Sequence, residues 1–247
     1  MNIQRFLRIL GDIALLNWEV FKSIDFHPNV VRRTIKHIKT IGIDSIFITS
    51  ITSLFVGMVF TIQVSNEFSK FGALKLIGGI VGMAIWRELA PLFTGVILCS
   101  RVGASIASEL STMKVTEQID ALKTLGQNPV AFLVTPRFLA AMISVPLLVG
   151  LADTVGFLGG FIVSCIFGQV NPAAYFNSAQ TMLSTYDIWA GIFKGFCFSG
   201  AVVLISCYQG MKTKNGAKGV GDSVTISVVA SLICIFILNY FLSLLLF

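Results

Sequence analysis

Five runs of apolar residues, each long enough to cross a hydrocarbon core, constrain this chain more than anything else in it. A membrane-spanning helix needs about 20 predominantly apolar residues for a core about 30 Å thick. The runs at 41–64, 74–106, 138–168, 188–208 and 224–247 all reach that length. In lipid, backbone amides must be satisfied within their own segment, so runs of this kind fold as helices. Composition agrees, since 55% of the residues are hydrophobic and 12% charged, about half the charged share of a soluble domain. The expected fold is an all-α polytopic membrane protein with an N-terminal interfacial helix plus five transmembrane helices.

Residues 1–40 differ from the remainder, 41–247. In the stretch from Ile3 to Ile24, Arg5, Arg8, Asp12, Glu19 and Lys22 share one arc of about 100° at about 100° per residue. Phe6, Ile9, Leu10, Ile13, Leu16, Val20 and Phe21 cover the rest. Such a helix lies along a membrane interface rather than crossing it; packing on another protein domain is the alternative. A basic flank follows, with Arg32, Arg33, Lys36 and Lys39, and His27 and His37 are expected at the interface.

The formal net charge of +6 is distributed between apolar runs, which fits the positive-inside rule and argues against a nucleic-acid partner. The first forty residues carry seven Lys and Arg, the stretch 101–137 four and the loop 211–222 three, whereas the alternating loops hold only Lys70 and Lys75. The N-terminus is therefore expected on the cytoplasmic or stromal side and the C-terminus opposite. No basic, apolar and small-residue order of a cleaved signal opens the chain, so synthesis is expected in the compartment of use. Cys99, Cys165, Cys197, Cys207 and Cys234 lie in or beside apolar runs without a C-x-x-C pair, and read as small apolar filler.

Three features bear on function. The segment 109–126 (ELSTMKVTEQIDALKTLG) offers Thr116 as a cap, Glu117 and Asp120 in the first turns, Lys123 later and Gly126 after the end. Acid early and base late suit the helix dipole. Ile119, Leu122 and Leu125 form a narrow stripe for docking a cytoplasmic partner, or for lying on the chain's own membrane domain. Second, Arg87, Glu88, Asp153 and Lys194 stand inside apolar runs, where an isolated charge costs roughly 2.5–3.5 kcal/mol even on mild scales. They are expected to pair with one another or to face a polar cavity, as packing salt bridges or as an ion relay. Third, the stretch 216–223 (GAKGVGDS) approaches a phosphate loop, but Asp222 replaces the lysine and no strand precedes it. It is expected to be a flexible basic loop, with Asp222 or Ser223 capping the last span. The small-residue spacings Gly78/Gly82, Gly156/Gly160 and Gly191/Gly195 permit close helix packing within or between subunits.

The sequence resembles the MlaE-type permeases of ABC lipid transporters over nearly its whole length. The resemblance is carried by FVGMVFTIQ at 55–63, RELAP at 87–91, RVGAS at 101–105 and Glu109 through Leu122. The GAKGVGDS stretch resembles the cyanobacterial and plastid branch. The resemblance implies a homodimer joined by two cytoplasmic or stromal ATPase subunits and an MCE-type lipid-binding protein on the far side, with glycerolipid as cargo. It implies that the segment 109–126, with Glu109, Met113, Glu117, Gln118, Asp120 and Leu122, docks on the ATPase, and that lipid occupies a cavity lined by the first, second and fifth spans. No cofactor is then bound by this chain, and ATP is used by its partner. The implied location is a plastid inner envelope or a cyanobacterial inner membrane. The competing functions are an ion-coupled secondary transporter using the four intramembrane charges, a scaffold without transport, and a membrane enzyme, for which no catalytic constellation is visible.

Overall fold

A computed structural model describes residues 3–24, 28–166, 170–214 and 216–247. His27 and Gly168, and the side chains of Arg5, Phe6, Ile9 and Leu10, lie outside the described residues. Every regular element among those described is helical. Five helical runs are long and apolar enough to cross a membrane, at Val30–Lys70, Leu74–Val115, Val130–Ile166, Thr185–Met211 and Gly216–Leu246.

The elements in chain order are α1 (Ile3–Lys22), α2 (Pro28–Ile41), α3 (Ile46–Lys70), α4 (Ile77–Ala84), α5 (Ala90–Ile97), α6 (Ala104–Val115), α7 (Gln118–Thr124), α8 (Thr135–Ile166), α9 (Pro172–Met182), α10 (Thr185–Met211) and α11 (Gly216–Leu246). Wider π turns at Ile85–Leu89 and Leu98–Gly103 join α4, α5 and α6 into one run, and a third at Val130–Val134 leads into α8.

The structure adds to one expectation and corrects two. The basic flank is itself helical, as α2, because Pro28 suits a first helical turn and its apolar residues recur at helical spacing. Thr34 and Ile41 are buried on one side, while Arg32, Lys36 and Lys39 are exposed. The second run continues through Ser108 as helix to Val115. The stretch 216–223 is not a loop: α11 begins at Gly216, whose φ of 61° supplies the left-handed turn. Ser223 is therefore inside the helix, bonded at 2.7 Å to Thr213 rather than capping an end.

The contacts of the chain divide into two compact units. One comprises Met1–Ile43, Leu98–Ser144 and Phe198–Ile235. In it Leu16 and Val20 of α1 are buried, Phe21 meets Phe138 edge-on at 5.9 Å, and the Ser23 and Thr135 hydroxyls lie 2.6 Å apart. Asp12, expected on a solvated arc, instead accepts from Tyr208 Oη at 3.0 Å and from Lys212. Those bonds hold its carboxyl below the usual range. The helix α11 lies here on a stripe of small residues four apart, Gly219, Ser223, Ser227 and Ser231, with Ser227 donating to Ser206 at 3.0 Å. Small residues let backbones approach where lipid provides no hydrophobic drive.

The other unit comprises Asp44–Ile97, Val145–Cys197 and Phe236–Phe247. Its core is built from Ile77, Val81, Ile85, Ala152 and Tyr175. The helix α3 uses the same device as α11, burying Thr49, Ser53, Gly57, Thr61 and Ser65 at four-residue spacing. A Cβ on Gly57 would collide with the Gly156 carbonyl. Gly78 abuts the Tyr175 carbonyl, Gly160 the Thr61 hydroxyl and Gly191 the Trp86 carbonyl. The three glycine spacings are thus used inside the chain.

Candidate functional site

In the second unit, the π turn Ile85–Leu89 carries Arg87 and Glu88. Pro91 follows and has no N–H, so the Arg87 carbonyl loses its donor four residues on. Lys194 of α10 supplies one instead: its Nζ donates to that carbonyl at 2.7 Å, to Glu88 Oε1 at 2.8 Å and to Ser243 Oγ at 2.8 Å. Three acceptors match the three donors of an ammonium, and Lys194 is fully buried. Glu88 is equally well supplied, accepting from Ser243 at 2.7 Å and from Asn239 at 2.9 Å besides Lys194.

Arg87 turns to another carboxylate, Asp187, at 2.8 Å. Asp187 also accepts from the Ser184 backbone N–H at 2.8 Å and its hydroxyl at 3.1 Å. The Arg87 guanidinium lies 4.6 Å from the Phe247 ring centroid, over its face. Two cations and two anions therefore neutralise one another in this cluster. Three of the four charges expected inside spans are brought together.

Asp153 is not among them. It is 2% exposed, and neither carboxylate oxygen has a hydrogen-bond partner among the described residues. Asp187, Asn239 and Ser243 escaped the sequence reading. For Asp187 a signal existed, because Ser184-x-x-Asp187 before an apolar run is one half of a capping box. Asn239 and Ser243 sit one turn apart in α11 with no such mark.

The first unit holds the segment 109–126. Glu109 belongs to α6 and pairs with buried Arg137 at 2.8 Å. Met113 is half-buried and α6 ends at Val115, followed by a turn. Thr116 does not cap α7; its hydroxyl donates back to Thr112 O at 2.9 Å. Glu117 takes the capping position in the left-handed region, with φ 60°. Asp120 is held by Lys114 at 2.7 Å and Lys123 at 3.2 Å. The bonds from those two ammoniums keep its carboxyl below the ordinary range.

Ile119 is buried, Leu122 half-buried, and Leu125 is 74% exposed. Gly126 ends α7 with φ 73°, as the spacing suggested. Half of the expected stripe therefore anchors α7 to its own chain. Glu117, Gln118 and Leu125 are left exposed.

The family described as Permease MlaE matches residues 34–245. A probable ABC transporter permease protein of Synechocystis sp. is 44% identical over 216 residues, 87% of this chain and 82% of its own. One from Rickettsia typhi is 39% identical over 243 residues, covering 98% and 94%. The chloroplastic protein trigalactosyldiacylglycerol 1 of Arabidopsis thaliana is 38% identical over 212 residues, 86% of this chain and 61% of its own.

Proposed function

This chain belongs to the MlaE permease family of ABC transporters, and from that premise we propose that it moves glycerolipid between membranes, driven by ATP hydrolysed in a partner subunit. The observation that carries the mechanism is α7, a short helix pinned by Ile119 and by the Lys114–Asp120–Lys123 cluster while Glu117, Gln118 and Leu125 face outward. A helix fixed to its own chain on one side and free on the other can pass a push from an ATPase into α6 and the spans. The glycerolipid reading is supported by the name of the Arabidopsis relative, which is that of a glycerolipid.

The working assembly is a homodimer with two ATPase subunits and an MCE-type lipid-binding partner. It sits with its N-terminus cytoplasmic or stromal, in a plastid inner envelope or a bacterial inner membrane. Lipid is accommodated beside α3 and α11, the two spans with the least buried apolar windows, 28% and 11% against at least 50% in the others. A groove lined by Phe55, Val59, Phe60, Gln63, Leu89 and Phe93 offers room for an acyl chain. The ion-coupled alternative is disfavoured by Glu88, whose carboxylate is already taken up by Lys194, Ser243 and Asn239.

The test is reconstitution of the complex in liposomes with a fluorescent glycerolipid. Transfer is expected with ATP and absent with a proton gradient alone. Glu117→Lys, whose native side chain is exposed and makes no cap bond to α7, is expected to change stability by less than about 0.5 kcal/mol while reducing ATPase co-purification. Gradient-driven transfer without ATP would overturn the reading.

A further inference from the structure

On the first unit, α2, α6, α8 and the Leu98–Gly103 π turn enclose a cavity of about 160 Å³. A single water needs only about 10–15 Å³ by this kind of measure, so there is room for a polyatomic group. Its polar lining is His37, Thr40, Arg101, Ser105, Glu109 and Arg137. Arg137 is 3% exposed. One terminal nitrogen bonds the Leu133 carbonyl and the other Glu109, but its Nε is buried without a partner among the described residues. A buried guanidinium nitrogen left unbonded is costly, and here it belongs to a residue that lines a cavity. Two guanidiniums and one carboxylate line the cavity, and Arg101 donates to the Thr40 carbonyl at 3.2 Å. That carboxylate is held loosely, because Glu109 is 54% exposed while Arg137 is enclosed.

We propose that this cavity binds a phosphate group, the chemistry shared by a glycerophospholipid headgroup and free phosphate. Guanidinium matches phosphate with two parallel N–H···O bonds. The incoming oxygens engage Arg137 and Arg101, Ser105 supplies a hydroxyl donor, and Glu109 is displaced toward solvent. The inference goes beyond the transport reading, since binding here needs neither ATP nor a partner chain.

The full-length chain in neutral detergent is titrated with dioctanoyl phosphatidylglycerol, with inorganic phosphate and with dioctanoylglycerol, and binding is followed by thermal shift. Saturable binding of phosphatidylglycerol but not dioctanoylglycerol is expected. Saturation by inorganic phosphate as well assigns the site to the free ion, and its absence assigns it to the lipid headgroup. Arg101→Gln should weaken the affinity about tenfold, the loss of one charge-assisted bond. Glu109→Gln should strengthen it, because the competing carboxylate is gone; a merely structural ion pair would give no gain. Equal binding of dioctanoylglycerol, no saturable binding of either phosphate probe, or unchanged affinity in both variants would overturn the proposal.

Discussion

Lys194 is the residue on which the intramembrane cluster depends. Its ammonium meets the Arg87 carbonyl exposed by Pro91, the Glu88 carboxylate and the Ser243 hydroxyl at once. Breaking a buried pair from one side costs about 3–5 kcal/mol, because the other charge is left uncompensated, whereas replacing both partners by apolar residues is often neutral. Lys194→Met should therefore lower thermal stability in detergent sharply, and Lys194→Met with Glu88→Leu should recover most of the loss. Asp153→Asn is the contrasting arm: no partner among the described residues is left behind, so stability should hold or rise. Equal losses in all three would contradict the pairing. Arg87, Glu88 and Lys194 were legible because a charge amid apolar residues is conspicuous. Their pairing was not, since Glu88 and Lys194 stand 106 residues apart. Asp187 was missed because an acid at a helix start reads as an ordinary cap.

Helices show the same division between what pattern reveals and what packing decides. The spans were legible as apolar blocks, and Gly126 as the end of α7, because length and positive φ leave direct marks in the residues. The start of α11 was not, for GAKGVGDS has loop composition, and tertiary contacts from Ser223 to Thr213 and Ser227 to Ser206 hold it helical. The docking of α7 was half legible: the Ile119–Leu122–Leu125 stripe was visible, but which residues face the chain depends on the left-handed turn at Glu117. That docking rests on Asp120, whose carboxyl Lys114 and Lys123 hold below its ordinary 3.8. A depressed carboxyl stabilises the folded form above its unfolded value and loses that contribution only as pH falls through the lower, folded value. Hydrogen exchange across residues 117–125, corrected for intrinsic rates, should thus be unchanged from about pH 8 to about pH 5. Asp120→Asn should raise exchange there throughout that range. Protection that fades between pH 8 and 5 in the wild type would point to another titrating group.

At the scale of the whole molecule, topology follows from charge counted between spans. Insertion disfavours moving Lys and Arg across the bilayer, so segments rich in them stay on the side of synthesis. By that rule, seven, four and three basic residues on one set of loops against two on the other predict one orientation, and five spans then predict termini on opposite sides. Two exposed lysines sample the two faces. Lys70 ends α3, where it pairs with Glu67 at the surface, and Lys214 precedes α11. In sealed cells or organelles, a membrane-impermeant maleimide should label Lys70→Cys from outside and reach Lys214→Cys only after permeabilisation, with the wild type reporting its own five cysteines. Removing the Lys70–Glu67 pair should cost less than about 1 kcal/mol, because both side chains are solvated, so the substitution tests topology rather than folding. Labelling in the reverse order would invert the chain, placing α7 on the side away from any cytoplasmic or stromal ATPase and removing the physical basis for ATP-driven coupling through it.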